Sequence, residues 1–152
     1  MKMKIEEIIK SNSEIPLEKK TILNLIYTQH VVYDKFSELL KKHDLSSEQY
    51  NVLRIVRGQK GKPANMCVIQ ERMIAKTSNT TRLVDKLVAK EMVNRNVCPA
   101  NKRKMEVTIT QKGLDILTLL DPIVETFESN LGKKLTLEEL TILNTLLEKY
   151  RN

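Results

Sequence analysis

Residues 78–113 read SNTTRLVDKLVAKEMVNRNVCPANKRKMEVTITQKG. The first third of this segment repeats apolar residues at helical spacing between Leu83 and Val88, which predicts an amphipathic helix that ends near Lys90. The opposite side of this helix carries hydrogen-bond donors and cations. The amphipathic pattern alone does not distinguish whether that side faces solvent or a polar partner.

The rest of the segment alternates apolar and polar residues over 93–97 and again over 105–109. A period of two predicts strands, and the short connection between the two runs predicts a β-hairpin. Residues 98–104 are expected to form its tip. The tip is therefore predicted to carry three adjacent cations, Lys102, Arg103 and Lys104.

Another short helix is predicted directly before this segment. Residues 66–73 supply about two turns, and the chain then breaks before Thr77 or Ser78, either of which can cap the next helix. Upstream, Ser46 and Gln49 have the spacing of a capping box, so a further helix begins there. The resulting order is helix, turn, helix, hairpin.

Longer helices are predicted at both ends of the chain. Residues 17–43 contain neither Gly nor Pro and repeat apolar side chains at helical spacing. Thr110 is expected to cap a helix that reaches about Asn130 and is kinked or divided at Pro122, because a proline ring clashes with the preceding turn. A capping-box pattern at residues 136–139 opens the last helix.

These elements predict a mainly α fold with a small β-hairpin wing. A winged helix-turn-helix core is expected over residues 45–110, between N-terminal helices in residues 1–44 and C-terminal helices in residues 111–152, all in one compact protomer. No apolar run approaches the roughly 18 residues of a membrane span, and no secretory signal is expected. Two cysteines cannot form a disulfide framework, so the chain is expected to be cytoplasmic.

The excess positive charge lies in one block. The chain carries 26 Lys and Arg against 19 Asp and Glu, and residues 54–104 alone hold 13 basic and 3 acidic side chains, a net charge of +10. The residues before this block are neutral overall, and those after it carry −3. A localised basic block is typical of a nucleic-acid-binding surface, whereas cations that only solubilise a protein would be scattered.

The helix and the hairpin of this block suit double-stranded DNA. A major groove about 12 Å wide admits one helix, so Arg82 is expected to pair with guanine and Lys86 to contact phosphate. The predicted contact residues of the helix are Thr77, Ser78, Asn79, Thr80, Thr81, Arg82 and Lys86. Those of the wing are Asn101, Lys102, Arg103 and Lys104, since a single Arg can enter a narrow minor groove.

Several motifs resemble the MarR family, the multiple antibiotic resistance regulators. The most specific is Asn101-Lys102-Arg103, followed after five residues by 109–113, Ile-Thr-Gln-Lys-Gly, which is similar to the family's wing signature of Asp-x-Arg, five residues, Leu-Thr, two residues and Gly. Residues 45–53 are similar to the opening of the family's second helix, and residues 81–87 with 92–95 are similar to its recognition helix and exit. The final helix, from 135–140, also fits.

The resemblance implies a homodimeric transcription regulator, a repressor by default, whose first and last helices form the dimer interface. It further implies recognition helices in successive major grooves of a near-palindromic operator, with half-sites about 10–10.5 bp apart and Arg103 in the flanking minor groove. Family members commonly bind small aromatic or anionic ligands, for which Tyr27, His30 and Tyr33 are candidate residues. The alternative is that the two tyrosines form interface core and that His30 is an ordinary surface histidine.

Two residues depart from the family pattern. Asn101 replaces the usual Asp, so any hydrogen bond that orients the wing Arg becomes neutral and weaker. Glu91 stands where Gly is common after the recognition helix, and it either adopts the left-handed conformation at a cost or ends the helix differently.

Other classes of function have less support in the sequence. No catalytic motif is present, so the chain is not expected to be an enzyme, and the spacing of its His and Cys residues predicts no metal site and no cofactor. Cys67 and Cys98 are expected to be buried as small apolar residues rather than redox-active. The alternative to a DNA-binding regulator is a winged-helix module that binds protein or RNA without operator specificity.

Overall fold

The computed structural model describes residues 3–76 and 79–152. Within them it contains seven helices and one three-stranded antiparallel sheet, which confirms the predicted mainly α fold with a hairpin wing. No helix in these residues has the length and apolar content that a membrane crossing requires. The chain divides into two units, Met1–Tyr50 and Asn51–Asn152, which are described separately below.

The first unit contains α1 (Ile5–Ile8), α2 (Leu17–Lys41) and the first turn of α3 (Ser47–Arg57). Helix α2 begins at Leu17, as predicted, and runs for 25 residues to Lys41. The capping box predicted for α3 is formed: the main-chain N–H of Gln49 donates to Ser46 Oγ at 3.2 Å, and that of Ser46 donates to Gln49 Oε1 at 3.0 Å. Two orphan donors at this helix start are thereby satisfied.

The second unit begins within α3 and continues through the remaining elements. These are β1 (Ala64–Asn65), α4 (Met66–Arg72), α5 (Thr80–Ala89), β2 (Val93–Cys98), β3 (Asn101–Ile109), α6 (Gln111–Gly132) and α7 (Leu137–Arg151). Strand β3 lies in the middle of the sheet, between β2 and the two-residue β1, which the sequence did not predict. The fully buried side chains of this unit include Leu53, Ile69, Met73, Val84, Leu87, Val93, Val107, Leu117 and Leu120.

Helix α6 is one continuous helix. Thr110 caps it as predicted, because its Oγ1 accepts the main-chain N–H of Gly113 at 3.1 Å. Pro122 lies inside α6 without dividing it, so the predicted alternative of a divided helix is wrong. Tertiary packing on both sides of the proline, at Leu120 and Val124, keeps the helix together through the missing hydrogen bond.

A bidentate ion pair joins α3 to α6. Arg57 donates from Nη1 and Nη2 to the two carboxylate oxygens of Asp121, at 2.7 and 2.9 Å. Both side chains are about one third exposed, which limits the energy of the pair. The hydrogen bonds from Arg57 lower the pKa of Asp121 below its ordinary value of 3.8.

We expect Asp121→Asn to lower the free energy of unfolding by about 0.5–1 kcal/mol at neutral pH. Since the carboxyl pKa is lower in the folded state, the pair stabilises the protein above about pH 3.8, and this stability is lost as the pH falls through the folded pKa. Urea unfolding at pH 7, 4 and 2.5 measures the effect, with Glu125→Gln, an exposed carboxylate one turn along α6, as control. A difference between wild type and Asp121→Asn that stays constant over this range would contradict the assignment.

Candidate nucleic-acid interface

Helix α5 begins with a side-chain cap. Asn79 is the N-cap, and its Oδ1 accepts the main-chain N–H of Arg82 at 3.0 Å. The helix therefore begins at Thr80, one or two residues later than the predicted caps imply. Thr77 and Ser78, which were expected to cap it and to contact DNA, lie outside the described residues.

The two sides of α5 differ as predicted from its periodicity, except that Val88, expected on the apolar side, is 39% exposed. Val84 and Leu87 are fully buried, whereas four of the predicted contact residues are exposed, Asn79, Thr81, Arg82 and Lys86. Thr80 is the exception, because it is only 5% exposed and its hydroxyl donates to Gln70 Oε1 on α4. Thr80 thus holds the two helices of the motif together and is corrected from a DNA contact to an internal one.

Helix α4 and the connection to α5 are held by local hydrogen bonds. Asn65 caps α4, accepting the main-chain N–H of Val68 at 2.9 Å, and Gln70 Nε2 donates to the main-chain oxygen of Lys76 at 2.7 Å. Cys67 is exposed and Cys98 is half-buried, so the predicted burial is wrong for Cys67 and is only partly met by Cys98. A position in the first turn of α4 places Cys67 on the side of the helix away from the buried Ile69.

The wing cations lie on a strand and not at the tip of the hairpin. Strand β3 extends to Asn101, which pairs with Cys98 across an irregular register, and the turn itself is Pro99-Ala100. Lys102, Arg103 and Lys104 are exposed on β3 at its hairpin end. The predicted tip was too long because strand alternation is visible only where one face is buried, and these residues are exposed on both faces.

Asn101 fixes the backbone of the wing. Its Oδ1 accepts the main-chain N–H of Arg103 at 3.0 Å. This hydrogen bond holds the main chain of the wing, and it differs from the predicted one, which was to orient the Arg103 side chain. Asn at this position therefore shapes the strand that carries Arg103.

Two acidic side chains on or next to α5 form ion pairs with cations of other elements. Asp85 on α5 forms an ion pair with Arg95 on β2, and Glu91, directly after α5, forms one with Lys112 on α6 at 2.9 Å. The hydrogen bond from Lys112 lowers the pKa of Glu91, so this carboxylate stays ionised at neutral pH. Both pairs reduce the negative potential beside Arg82.

The corner after α5 has the first of the two conformations predicted for Glu91, with φ at 60° in the left-handed region. Thr110 holds this corner: its hydroxyl donates to the main-chain oxygen of Glu91 at 2.7 Å, and its N–H donates to that of Met92 at 3.1 Å. These contacts offset the cost of a left-handed non-glycine residue. They also join the end of α5 to the start of α6.

The candidate ligand residues lie on α2, in the first unit. Tyr27 is 42% and Tyr33 40% exposed, and His30 is exposed as well. The Tyr33 hydroxyl donates to Glu48 Oε1 at 2.9 Å, and this hydrogen bond raises the pKa of Tyr33 above 10. Among the described residues, no group of three His, Cys, Asp or Glu side chains is placed to hold a metal ion.

Comparison with known proteins identifies the winged helix-turn-helix. The family model described as "MarR family" matches residues 45–105. The HTH-type transcriptional regulator MhqR of Bacillus subtilis (strain 168) is 26% identical over 91 residues. These residues cover 60% of this chain and 61% of MhqR, so the match spans less than two thirds of that relative's length.

Solved structures agree in fold over nearly the whole chain. A MarR transcription factor from Planctomyces limnophilus has 29% identity and a TM-score of 0.69, with 90% of this chain and 98% of that one covered. BpsR of Bordetella bronchiseptica, whose DNA binding is regulated by 6-hydroxynicotinic acid, has 18% identity and a TM-score of 0.79, with 92% and 99% covered. The last comparison shows the fold alone. The helix-turn-helix and wing of this chain are therefore similar to those of MarR-family transcription regulators, whose family model matches residues 45–105.

Proposed function

We propose that this protein is a sequence-specific DNA-binding regulator that acts as a homodimer on a near-palindromic operator, represses by default and responds to a small aromatic or anionic ligand. The observation that carries the proposal is the exposed cationic surface of one unit, formed by Arg82, Lys86, Lys102, Arg103 and Lys104 on α5 and β3. The match of residues 45–105 to the MarR family model supports it. DNA is the polyanion that a helix and a basic wing suit together.

Helix α5 has the dimensions and side chains of a reading helix. Its ten residues span about 15 Å, which fits a major groove. Arg82 lies in its first turn, where a guanidinium can donate two hydrogen bonds to a guanine edge. Lys86, one turn further, is placed for phosphate, and Asn79 and Thr81 add short polar contacts at the helix start.

The wing supplies the second contact. Arg103 projects from β3 near the hairpin turn, with Lys102 and Lys104 beside it. An arginine in a narrow minor groove senses the potential and width of the groove, while flanking lysines neutralise phosphates. Arg103 is therefore proposed to read the flank of each half-site.

Exposed apolar side chains support the homodimer. Helix α7 has no buried residue, and at helical spacing it exposes Ile142, Leu143, Leu146 and Tyr150, between 42% and 56%. Helix α2 exposes Ile22 and Ile26 in the same way. Apolar stripes of this size mark surfaces that bury against a partner, and we propose a second copy of the chain.

The ligand proposal rests on α2 and on one structural relative. Exposed rings at Tyr27 and Tyr33 can stack on an aromatic ligand, and the Tyr27 hydroxyl and the imidazole of His30 can donate hydrogen bonds to an anionic one. The regulation of BpsR by 6-hydroxynicotinic acid, an aromatic acid, supports this class of effector.

The test is binding of the purified protein to the DNA upstream of its own gene, against random competitor DNA, over a series of salt concentrations. Competitor-resistant binding whose log K falls steeply with log salt is the expected result. Equal affinity for all DNA would contradict operator recognition and favour the alternative, a winged-helix module without operator specificity. No binding at low salt would overturn the proposal.

Substitutions on α5 distinguish recognition of base sequence from general electrostatic attraction to DNA. We expect Arg82→Ala to cost about 1–3 kcal/mol of operator affinity and to relax the preference for one base pair. Lys86→Ala should weaken operator and random DNA alike and lower the salt slope by about one. Fluorescence anisotropy on the operator and on single-base variants measures both. Lys149→Ala on α7, outside the basic block, is the control, and an Arg82→Ala variant that keeps wild-type affinity would contradict the assignment.

A further inference from the structure

An ion pair joins the proposed reading helix to the sheet that carries the wing. Asp85, in the middle of α5, accepts a hydrogen bond from Arg95 Nη1 on β2, with 2.5 Å between Nη1 and Oδ1. Strand β2 pairs along β3, and Arg95 lies opposite Val107. The pair therefore connects the element that carries Arg82 to the one that carries Arg103.

Arg95 is the more buried partner of this pair. Its side chain is 28% exposed against 55% for Asp85, and its Nε is buried without a hydrogen-bond partner among the described residues. The exposure of Asp85 limits the energy of the pair, as it does for Arg57 and Asp121, but removal of the carboxylate still leaves the partly desolvated charge of Arg95 uncompensated. Loss of the Asp85 carboxylate would therefore release Arg95 toward solvent and remove the charge contact between α5 and β2.

Asp85 places a negative charge on a helix that is proposed to approach DNA phosphates. It is one of three acids among 13 cations in residues 54–104, and it lies one turn from both Arg82 and the helix end. A carboxylate on a DNA-binding helix repels phosphate, so attraction alone predicts that its removal strengthens DNA binding.

We propose that Asp85 and Arg95 are positioning residues for operator recognition, which rests on the function proposed above. The pair holds α5 at a fixed angle to the wing, so that Arg82 and Arg103 reach their two grooves together. Neither residue is assigned a base contact. The contribution of the pair is preorganisation, which favours the specific complex over general attraction to DNA.

The experiment measures affinity for the operator and for random DNA with matched variants. Asp85→Asn is expected to bind the operator about tenfold more weakly, or about 1.4 kcal/mol, and to bind random DNA as tightly as wild type or more tightly. Asp121→Asn is the control, because it also removes one carboxylate from an Arg–Asp pair and adds the same net charge, but in the α3–α6 pair. Its operator affinity should equal that of wild type.

An exchange variant, Asp85→Arg with Arg95→Asp, guards against loss of folding. It restores an ion pair at unchanged net charge and should recover most of the operator affinity that Arg95→Asp alone loses. Thermal unfolding by circular dichroism establishes that each variant is folded at the assay temperature.

The outcomes separate the two proposals. If wild type prefers its operator but Asp85→Asn binds it as tightly or more tightly, the positioning role is wrong and the DNA-binding function stands. A folded exchange variant no better than Arg95→Asp would also overturn the role. If wild type shows no operator preference, the proposed function fails and the positioning role fails with it.

Discussion

Gly113→Ala is expected to lower the free energy of unfolding by about 3 kcal/mol or more. A Cβ at this position would lie 2.2 Å from the main-chain oxygen of Met92 and 2.8 Å from Ile109 Cγ1. The Met92 oxygen cannot shift freely, since it accepts the main-chain N–H of Thr110. One added methyl therefore forces apart the corner after α5 and the first turn of α6. Urea unfolding followed by circular dichroism measures the loss.

The same helix provides a matched control. Gly132, the last residue of α6, has Leu140 Cδ1 at 3.9 Å as the nearest atom to an added Cβ, which is ordinary van der Waals contact. Gly132→Ala should be neutral or stabilise by up to about 1 kcal/mol, because alanine restricts the unfolded chain. Equal effects of the two substitutions would show that the close approach at Gly113 is not what excludes a side chain.

Leu143→Glu combined with Leu146→Glu should convert the proposed homodimer into a monomer at micromolar concentration. Each leucine is about half exposed, so its burial against a partner contributes about 1 kcal/mol, and two-fold symmetry counts each position twice. Operator affinity should fall by about 100-fold or more, because the two half-sites are then bound by separate molecules. Sedimentation equilibrium measures the assembly state, and fluorescence anisotropy measures the affinity.

A control for charge lies on the other side of α7. Thr141→Glu with Asn144→Glu adds the same two charges at exposed positions that helical spacing turns away from Leu143 and Leu146. This variant should stay in the wild-type assembly state. A monomeric wild type, or a Leu143→Glu and Leu146→Glu variant that remains dimeric, would refute the assignment of this surface.

Signals that act within a few residues allowed most of the fold to be predicted. The capping boxes at Ser46 and Thr136 and the cap at Thr110 all form, since each needs only a side chain and a backbone N–H three residues apart. The left-handed backbone of Glu91 was one of the two conformations predicted there, since the end of a helix is also set by nearby residues. Two-residue β1 has no periodicity to detect and exists only because β3 lies beside it.

The candidate site could be predicted less completely, because it depends on contacts between distant residues. Thr80 resembles its exposed polar neighbours in sequence, and only its hydrogen bond to Gln70 shows that it faces inward. The pair of Asp85 and Arg95, ten residues apart, joins a helix to a strand. The sole sequence signal for it was an acid inside the strongly basic block of residues 54–104. Sequence pattern alone does not show which of the 13 cations in that block pairs with this acid.

The short strand β1 has a consequence for solubility. It covers β3 only at Glu106 and Val107, so the other edge of residues 101–105 offers backbone donors and acceptors to any passing chain. Lys102, Arg103 and Lys104 occupy that stretch, and three adjacent positive charges repel the same stretch of another copy. The wing cations therefore also protect the sheet against edge-to-edge aggregation, whatever they contact in a complex.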